Sequence, residues 1–192
     1  MENEDKKAFV NSGHASRALQ RMDHFLRNKQ LCDVVLIAGK RRIPAHRLVL
    51  CSLSDYFASM FTHDLCEAKK DEIEIHDVNP DSLMWLIRYM YTSHIDIRED
   101  NVEDLLITSR LLQITDVVDA CCDYLRHQLH PSNCLGIAKF ADAQSCPQLY
   151  EAAATFARRQ FCQLQEVRDS GLKLYFNIKK ASRVPRVERG RN

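Results

Sequence analysis

The sequence predicts an α-rich α+β fold in which a small sheet is flanked by helices. Three observations carry that expectation. The stretch Leu31 to Phe61, LCDVVLIAGKRRIPAHRLVLCSLSDYFASMF, changes from strand period to helix period within a short span. Asp71 to Ile75, DEIEI, alternates polar and apolar residues as a half-exposed strand does. From Asn79 to Leu164, apolar residues recur at helical spacing in segments separated by capping and turn residues.

Residues 1–13 are polar and are expected to form a flexible N-terminus. Ala15, Ala18, Leu19, Met22 and Leu26 then form an apolar stripe, with Arg17, Gln20, Arg21 and Asp23 opposite. Such a stripe covers either its own domain or a second copy of the chain. Leu31 to Ile37 is an apolar run of strand length, rich in β-branched residues, and Ala38-Gly39-Lys40 turns the chain. Arg41 to Pro44 ends at a proline, as an edge strand can. Asp33 stands out inside the first run, because an unpaired buried carboxylate costs several kcal/mol. It therefore faces solvent or has a partner, and His46 and Arg47 are the nearest candidates. Helical faces follow from His46 to Phe61, broken at Ser52 to Asp55.

Beyond the DEIEI strand, Asn79-Pro80 marks a helix start, with Asn79 capping and Pro80 at the first helical position. That helix carries Leu83, Leu86, Ile87 and Met90 on one face. Ile95-Asp96-Ile97 reads as a brief extended piece. Asp100 with Glu103 has the spacing of a capping box for a helix bearing Val102, Leu105, Leu106 and Leu112. Another helix starts near Thr115, and two more are expected over about 133–144 and 147–164, joined at Ser145-Cys146-Pro147.

Bulk composition narrows the function classes. Apolar content of 45% and charged content of 28% are those of a globular protein, and no apolar run approaches the roughly 20 residues of a membrane span. The start MENEDKKAF lacks the apolar core of a secretory signal. Eight cysteines in that context are expected to be reduced thiols. The net charge of +1 hides an asymmetry. Residues 168–192 carry eight Lys/Arg against two acids, whereas the preceding 167 residues carry nineteen basic and twenty-four acidic side chains. The acidic body gives no reason to expect nucleic-acid binding.

Catalytic motifs are missing. Five scattered glycines form no phosphate-cradling loop, and no G-x-S-x-G or H-E-x-x-H occurs. No C-x-x-C is present, and the adjacent Cys121 and Cys122 diverge by about 100° on a helix of 3.6 residues per turn. Neither a metal nor another cofactor is expected, and no enzyme activity.

Taken as an ordered set, several stretches resemble a BTB (POZ) domain followed by the start of a BACK domain, as in Kelch-like adaptor proteins. They are Leu31-Cys32-Asp33-Val34, Ala45 to Leu50, Ser54-Asp55-Tyr56-Phe57 with Met60-Phe61, Tyr91-Thr92, Leu111-Leu112-Gln113, and His130 to Ile137 with Phe140-Ala141. The resemblance covers residues 14–166, with a BTB dimerisation domain at 14–129 and BACK helices at 130–166. It departs at Ser93-His94, where a glycine is usual, and at the basic tail 167–192, which does not look like the family. That tail is expected to be disordered.

The resemblance implies a homodimer with the first helix across the two-fold axis, which moves the Ala15, Ala18, Leu19, Met22 and Leu26 stripe to the dimer interface. It implies that Asp33 and Arg47 form a charged pocket near that interface. It further implies a substrate adaptor for a cullin-3 type ubiquitin ligase, with Leu65-Cys66-Glu67 standing where the family carries its hydrophobic-x-Glu cullin contact. Kelch repeats are absent from the sequence, so the expected role includes that of a short isoform or competitor pairing with full-length Kelch-like proteins. The expected location is the cytoplasm, with the nucleus as the alternative. Rival readings are a BTB transcriptional regulator and a structural dimerisation module.

Overall fold

The structure, a computed structural model, describes residues 9–62 and 70–163. It divides into two compact units, one ending at Cys121 and one beginning at Cys122. The tripeptide Leu65-Cys66-Glu67, the first eight residues and the tail 167–192 lie outside the described residues.

In the first unit, α1 (His14–Arg27) precedes a hairpin of β1 (Val34–Ala38) and β2 (Arg41–Ala45). Then come α2 (Arg47–Leu53), α3 (Asp55–Thr62), β3 (Glu72–Glu74), α4 (Pro80–Thr92) and α5 (Val102–Leu111). The division between units falls within α6 (Thr115–His127). The sheet has the order β2-β1-β3, with β1 antiparallel to β2 and parallel to β3. Gly39, at φ 56°, makes the turn of the hairpin, a conformation in which a side chain is strained. Pro44 sits on the edge strand, where its missing N–H interrupts no ladder.

Strand alternation sets the two faces of the sheet. Val34, Leu36 and Ala38 are buried, while Val35 and Ile37 are half-exposed on the other side. Arg42 on β2 crosses that outer side to the Glu72 carboxylate on β3, with Nη1 3.1 Å from Oε2. The hydrogen bond from Arg42 holds the Glu72 carboxyl below the usual carboxylate range.

Helix α4 is the centre of the core. Its start follows the sequence reading, since Asn79 Oδ1 accepts from Asp81 N at 2.9 Å and Ser82 N at 3.2 Å, with Pro80 beginning the helix. Leu83, Leu86, Ile87, Met90 and Tyr91 are all buried, and α1, α2, α5 and β2 pack around the helix. Each such aliphatic side chain, fully buried, is worth about 1.5–3 kcal/mol. Between α2 and α3, buried Ser54 accepts from Phe57 N at 3.2 Å and donates to Leu112 O at 2.6 Å. One hydroxyl thus starts α3 and ties it to the end of α5.

One local expectation fails. Asp100 does not cap α5; Asn101 is the N-cap residue. Asn101 Oδ1 accepts from Arg98 N and its amide donates to Asp96 O, closing the preceding loop on itself, while Asp100 pairs with Arg98. Ile95 to Ile97 belongs to that loop and joins no strand. A side chain that closes its own turn competes with the capping box, and here it wins.

The second unit holds α7 (Cys134–Ala143) and α8 (Pro147–Gln163), which pack on each other as a helical hairpin. Ala138, Ala141, Ala153, Ala154 and Ala157 are buried, and such small side chains let two helices approach closely. Asn133 precedes α7, with its carbonyl oxygen on His130 N and its amide on Gln128 O.

Ser93 closes α4 in the left-handed region, at φ 55° and ψ 22°. An L side chain there costs about 1 kcal/mol, while glycine gives part of that back as unfolded-chain entropy. Ser93→Gly is therefore expected to raise stability by up to about 1 kcal/mol, read as a higher urea midpoint at unchanged slope. A lower midpoint would show that the Ser93 side chain contributes to the fold.

Candidate protein-interaction surfaces

The junction between β2 and α2 organises the first unit. Helix α2 begins after His46, whose side chain makes no cap hydrogen bond. Remote groups take that place. Asp33 Oδ1 accepts from Arg47 N at 2.8 Å, and Asp33 O accepts from Arg47 Nε at 3.2 Å. Tyr91 Oη, from α4, accepts from His46 N at 2.9 Å. An anionic oxygen at a helix start satisfies a free N–H and also suits the helix dipole.

Asp33 and Arg47 are thus brought together through one backbone group of each, and Asp33 is not a buried residue of the strand. It lies one position before β1 and is exposed. Exposure and pairing, posed as alternatives by the sequence, are both true. The carboxylate keeps its water on one side and caps α2 with the other.

His46 has different partners. Its Nε2 lies 2.9 Å from Gln30 O, and its Nδ1 lies 2.8 Å from Tyr91 Oη. Because a carbonyl only accepts, Nε2 carries the proton and Nδ1 accepts from the Tyr91 hydroxyl. Tyr91 therefore donates through its proton and accepts through its lone pair, both to one residue. Burial pushes its hydroxyl well above the ordinary tyrosine range, so it keeps that proton at neutral pH. The neighbouring Cys32 and Cys51 thiols are also raised, chiefly by burial, which leaves neither as an activated nucleophile. Among the described residues, no group of three His, Cys, Asp or Glu side chains could hold a metal ion.

A second feature is an open groove of about 790 Å³ beside α3 and β3. Tyr56, Ser59 and Met60 line it from α3, and Lys70, Glu72 and Glu74 from the β3 side. The sequence-predicted Leu65, Cys66 and Glu67 belong to the stretch of chain that joins Thr62 to Lys70.

A third is the apolar stripe of α1. No residue of this helix is buried. Ala18, Leu19 and Leu26 are half-buried and α1 packs on α4, while Ala15 and Met22 are exposed. Two more apolar side chains, which the sequence did not single out for this face, are open to solvent. They are Leu31, 75% exposed, and Leu48, 72% exposed. The Gln30–His46 hydrogen bond draws the segment carrying Leu31 to the start of the helix carrying Leu48. Leu31 also has φ 58°, a left-handed backbone that a bulky residue rarely adopts.

A family model described as the BTB/POZ domain matches residues 22–129. The chain belongs to the BTB/POZ family. It is 54% identical to human Kelch-like protein 5 over 151 residues, which is 79% of this chain and 20% of that protein. It is 50% identical to mouse Kelch-like protein 1, over 74% of this chain and 19% of that protein. With mouse Kelch-like protein 3 the identity is 44%, over 79% and 26%. The chain thus spans about a fifth to a quarter of the length of these relatives. A solved structure, the BTB domain of zebrafish PATZ1, superposes with a TM-score of 0.58 at 25% identity, over 64% of this chain and 99% of that one.

Within this BTB/POZ domain, Tyr91→Phe is the sharpest test of the junction. It leaves His46 N–H and Nδ1 without their partner, at an expected cost of about 1–3 kcal/mol. The pH dependence has a definite sign. A tyrosine whose folded pKa is raised contributes stability that is fully present below its unfolded pKa, about 10, and is lost as pH rises through the folded value. Wild type should therefore lose stability above about pH 10 more steeply than Tyr91→Phe, in denaturant titrations repeated along the pH axis. Parallel losses would mean that Tyr91 ionises as freely in the folded chain as in the unfolded one.

Proposed function

We propose that this chain is the self-associating, scaffold-facing part of a substrate adaptor for a cullin-3 type ubiquitin ligase, and performs no catalysis itself. The observation that carries the reading is the groove beside α3 and β3, next to the stretch that contains Leu65-Cys66-Glu67. One side of this groove offers Tyr56 and Met60, and the other Glu72 and Glu74. Apolar side chains flanked by charged ones are the composition of a specific protein–protein contact. In this reading Leu65 fills an apolar pocket of the scaffold and Glu67 pairs at the rim. Similarity to the Kelch-like proteins supports the choice of partner. The α7–α8 hairpin serves as a second contact for the same scaffold.

Self-association is the other half of the proposal. Ala15, Ala18, Leu19, Met22 and Leu26 meet their counterparts across a two-fold axis, where one stripe serves both subunits. The incomplete burial of α1 supports this, because a 14-residue helix with a half-covered apolar face gains little stability on its own. Leu31 and Leu48 are exposed apolar side chains on segments joined by the Gln30–His46 hydrogen bond. The charged pair Asp33 and Arg47 stands at the margin of the α1 face. Pairing with full-length Kelch-like proteins through this face is the corresponding expectation for heterodimers.

Two experiments test these halves separately. Sedimentation equilibrium of the wild-type chain should give a dimer at micromolar concentration, and Leu19→Glu with Met22→Glu should give a folded monomer. A wild-type monomer sinks the self-association half. Calorimetric titration with the N-terminal part of a cullin-3 type scaffold should give heat at micromolar concentration. Leu65→Asp should weaken this binding by at least about 30-fold, the size of a 2 kcal/mol hot spot, while leaving the dimer intact. No heat with wild type overturns the adaptor reading.

A further inference from the structure

The backbone amide of Arg47 meets the Asp33 carboxylate, and its side chain reaches Asp33 O and two further elements. The guanidinium carbon lies 4.7 Å from the centroid of the Phe61 ring, near the end of α3. Nη2 donates to Lys70 O at 2.6 Å, two residues before β3. Nε donates to Asp33 O at 3.2 Å, just ahead of β1. One planar group therefore touches α3, the entry to β3 and the entry to β1. Phe61 is itself stacked on Phe57, with ring centroids 5.9 Å apart and planes 8° from parallel, and Phe57 is fully buried. Lys70 lines the groove directly. The next residue, Asp71, accepts from Val35 N at 2.8 Å, so the hold on Lys70 O continues into the sheet.

We propose that Arg47 is the positioning residue of the α3–β3 groove, its guanidinium fixing the spacing between the two walls while Asp33 fixes its backbone. Arginine suits the task because its fork delivers several N–H donors in one plane while its face lies on an aromatic ring. A hydrogen bond from a charged donor is roughly twice as strong as a neutral one, and here it falls on the Lys70 carbonyl at the entry to β3. Lysine, a point charge on a flexible stem, can keep either the ring contact or one carbonyl, not the whole set. The role of the groove in partner binding rests on the reading given under Proposed function; the hold on its walls does not.

The test compares Arg47→Met and Arg47→Lys with wild type by amide hydrogen exchange and by scaffold titration. Both variants keep the Arg47 N–H on Asp33, so the start of α2 is retained. In Arg47→Met, exchange at Val35, whose amide is bonded to Asp71 O, should rise about tenfold, while amides of α4 such as Leu86 stay as they were. Scaffold affinity should fall by a similar factor, with Arg47→Lys between the two. Unchanged exchange at Val35 overturns the proposal. So does a uniform rise that includes α4, which would make Arg47 a general stabiliser, and so does faster exchange at Val35 with unaltered affinity. If Arg47→Met does not fold, Phe61→Leu removes the ring contact of Arg47 together with the stacking on Phe57 but leaves both carbonyl bonds of the guanidinium, and should give a smaller change of the same pattern. Wild type that fails to bind the scaffold defeats the adaptor reading, and the exchange data then decide by themselves whether Arg47 holds the walls.

Discussion

Helix α2 has to start without a capping side chain of its own, and the first unit is arranged around supplying that deficiency. The His46 N–H and the Arg47 N–H sit at a half-buried junction where leaving either unmet would cost about 1–3 kcal/mol. Tyr91 reaches one from α4 and Asp33 reaches the other from the start of β1. These two bonds fix α2 against the core helix and against the sheet at once. The His46 ring then passes the constraint to Gln30, and so to the chain leaving α1.

Helix α1 covers the core without adding a buried residue to it. Leu36, Leu50, Phe57, Leu86, Met90 and Leu105 are fully buried, yet α1 contributes no buried residue. The helix rests on α4 and leaves Met22 open, as Leu31 and Leu48 are open nearby in the sequence. A single exposed leucine needs no explanation, since much of any protein surface is apolar. Leu31 is different because two unfavourable choices coincide at one position, a large apolar side chain in water and a left-handed backbone. That coincidence, more than the stripe itself, is why a covering partner is the economical account of this face.

Local signals were legible where the chemistry stays within a few residues. Asn79-Pro80 starts α4 as read, because both the cap and the missing N–H act within one turn. The DEIEI alternation yields β3, whose middle residue Ile73 is buried between exposed Glu72 and Glu74. Asp100 and Glu103 misled because Asn101 lay between them and had a closer use for its side chain. For Asp33 the residues alone offered both His46 and Arg47 as partners, and the family resemblance chose Arg47 between them. Tyr91 and His46 are 45 positions apart, and periodicity places Tyr91 in the core without saying where its hydroxyl goes. A buried tyrosine does demand a partner for that hydroxyl, and this demand was the available signal.

Two surfaces of the first unit are therefore built from one stretch of chain. Gln30 and His46 are bonded beside Leu31 and Leu48 on the α1 side, and Arg47, the next residue, holds Phe61 and Lys70 on the groove side. Adjacent backbone positions cannot move independently, so changes at 46 or 47 are felt on both faces. Residues farther out differ in this respect. Met22 belongs to α1 and Met60 to α3, with no shared bond between them. A continuous set of bonds does not by itself carry a signal, which requires an element with two arrangements. The junction has the opposite character, since every donor in it has a short, specific acceptor and the thiols beside it are raised by burial. Its physical role is that of a frame that ties the α1 side and the groove side of one small domain to the same pair of residues.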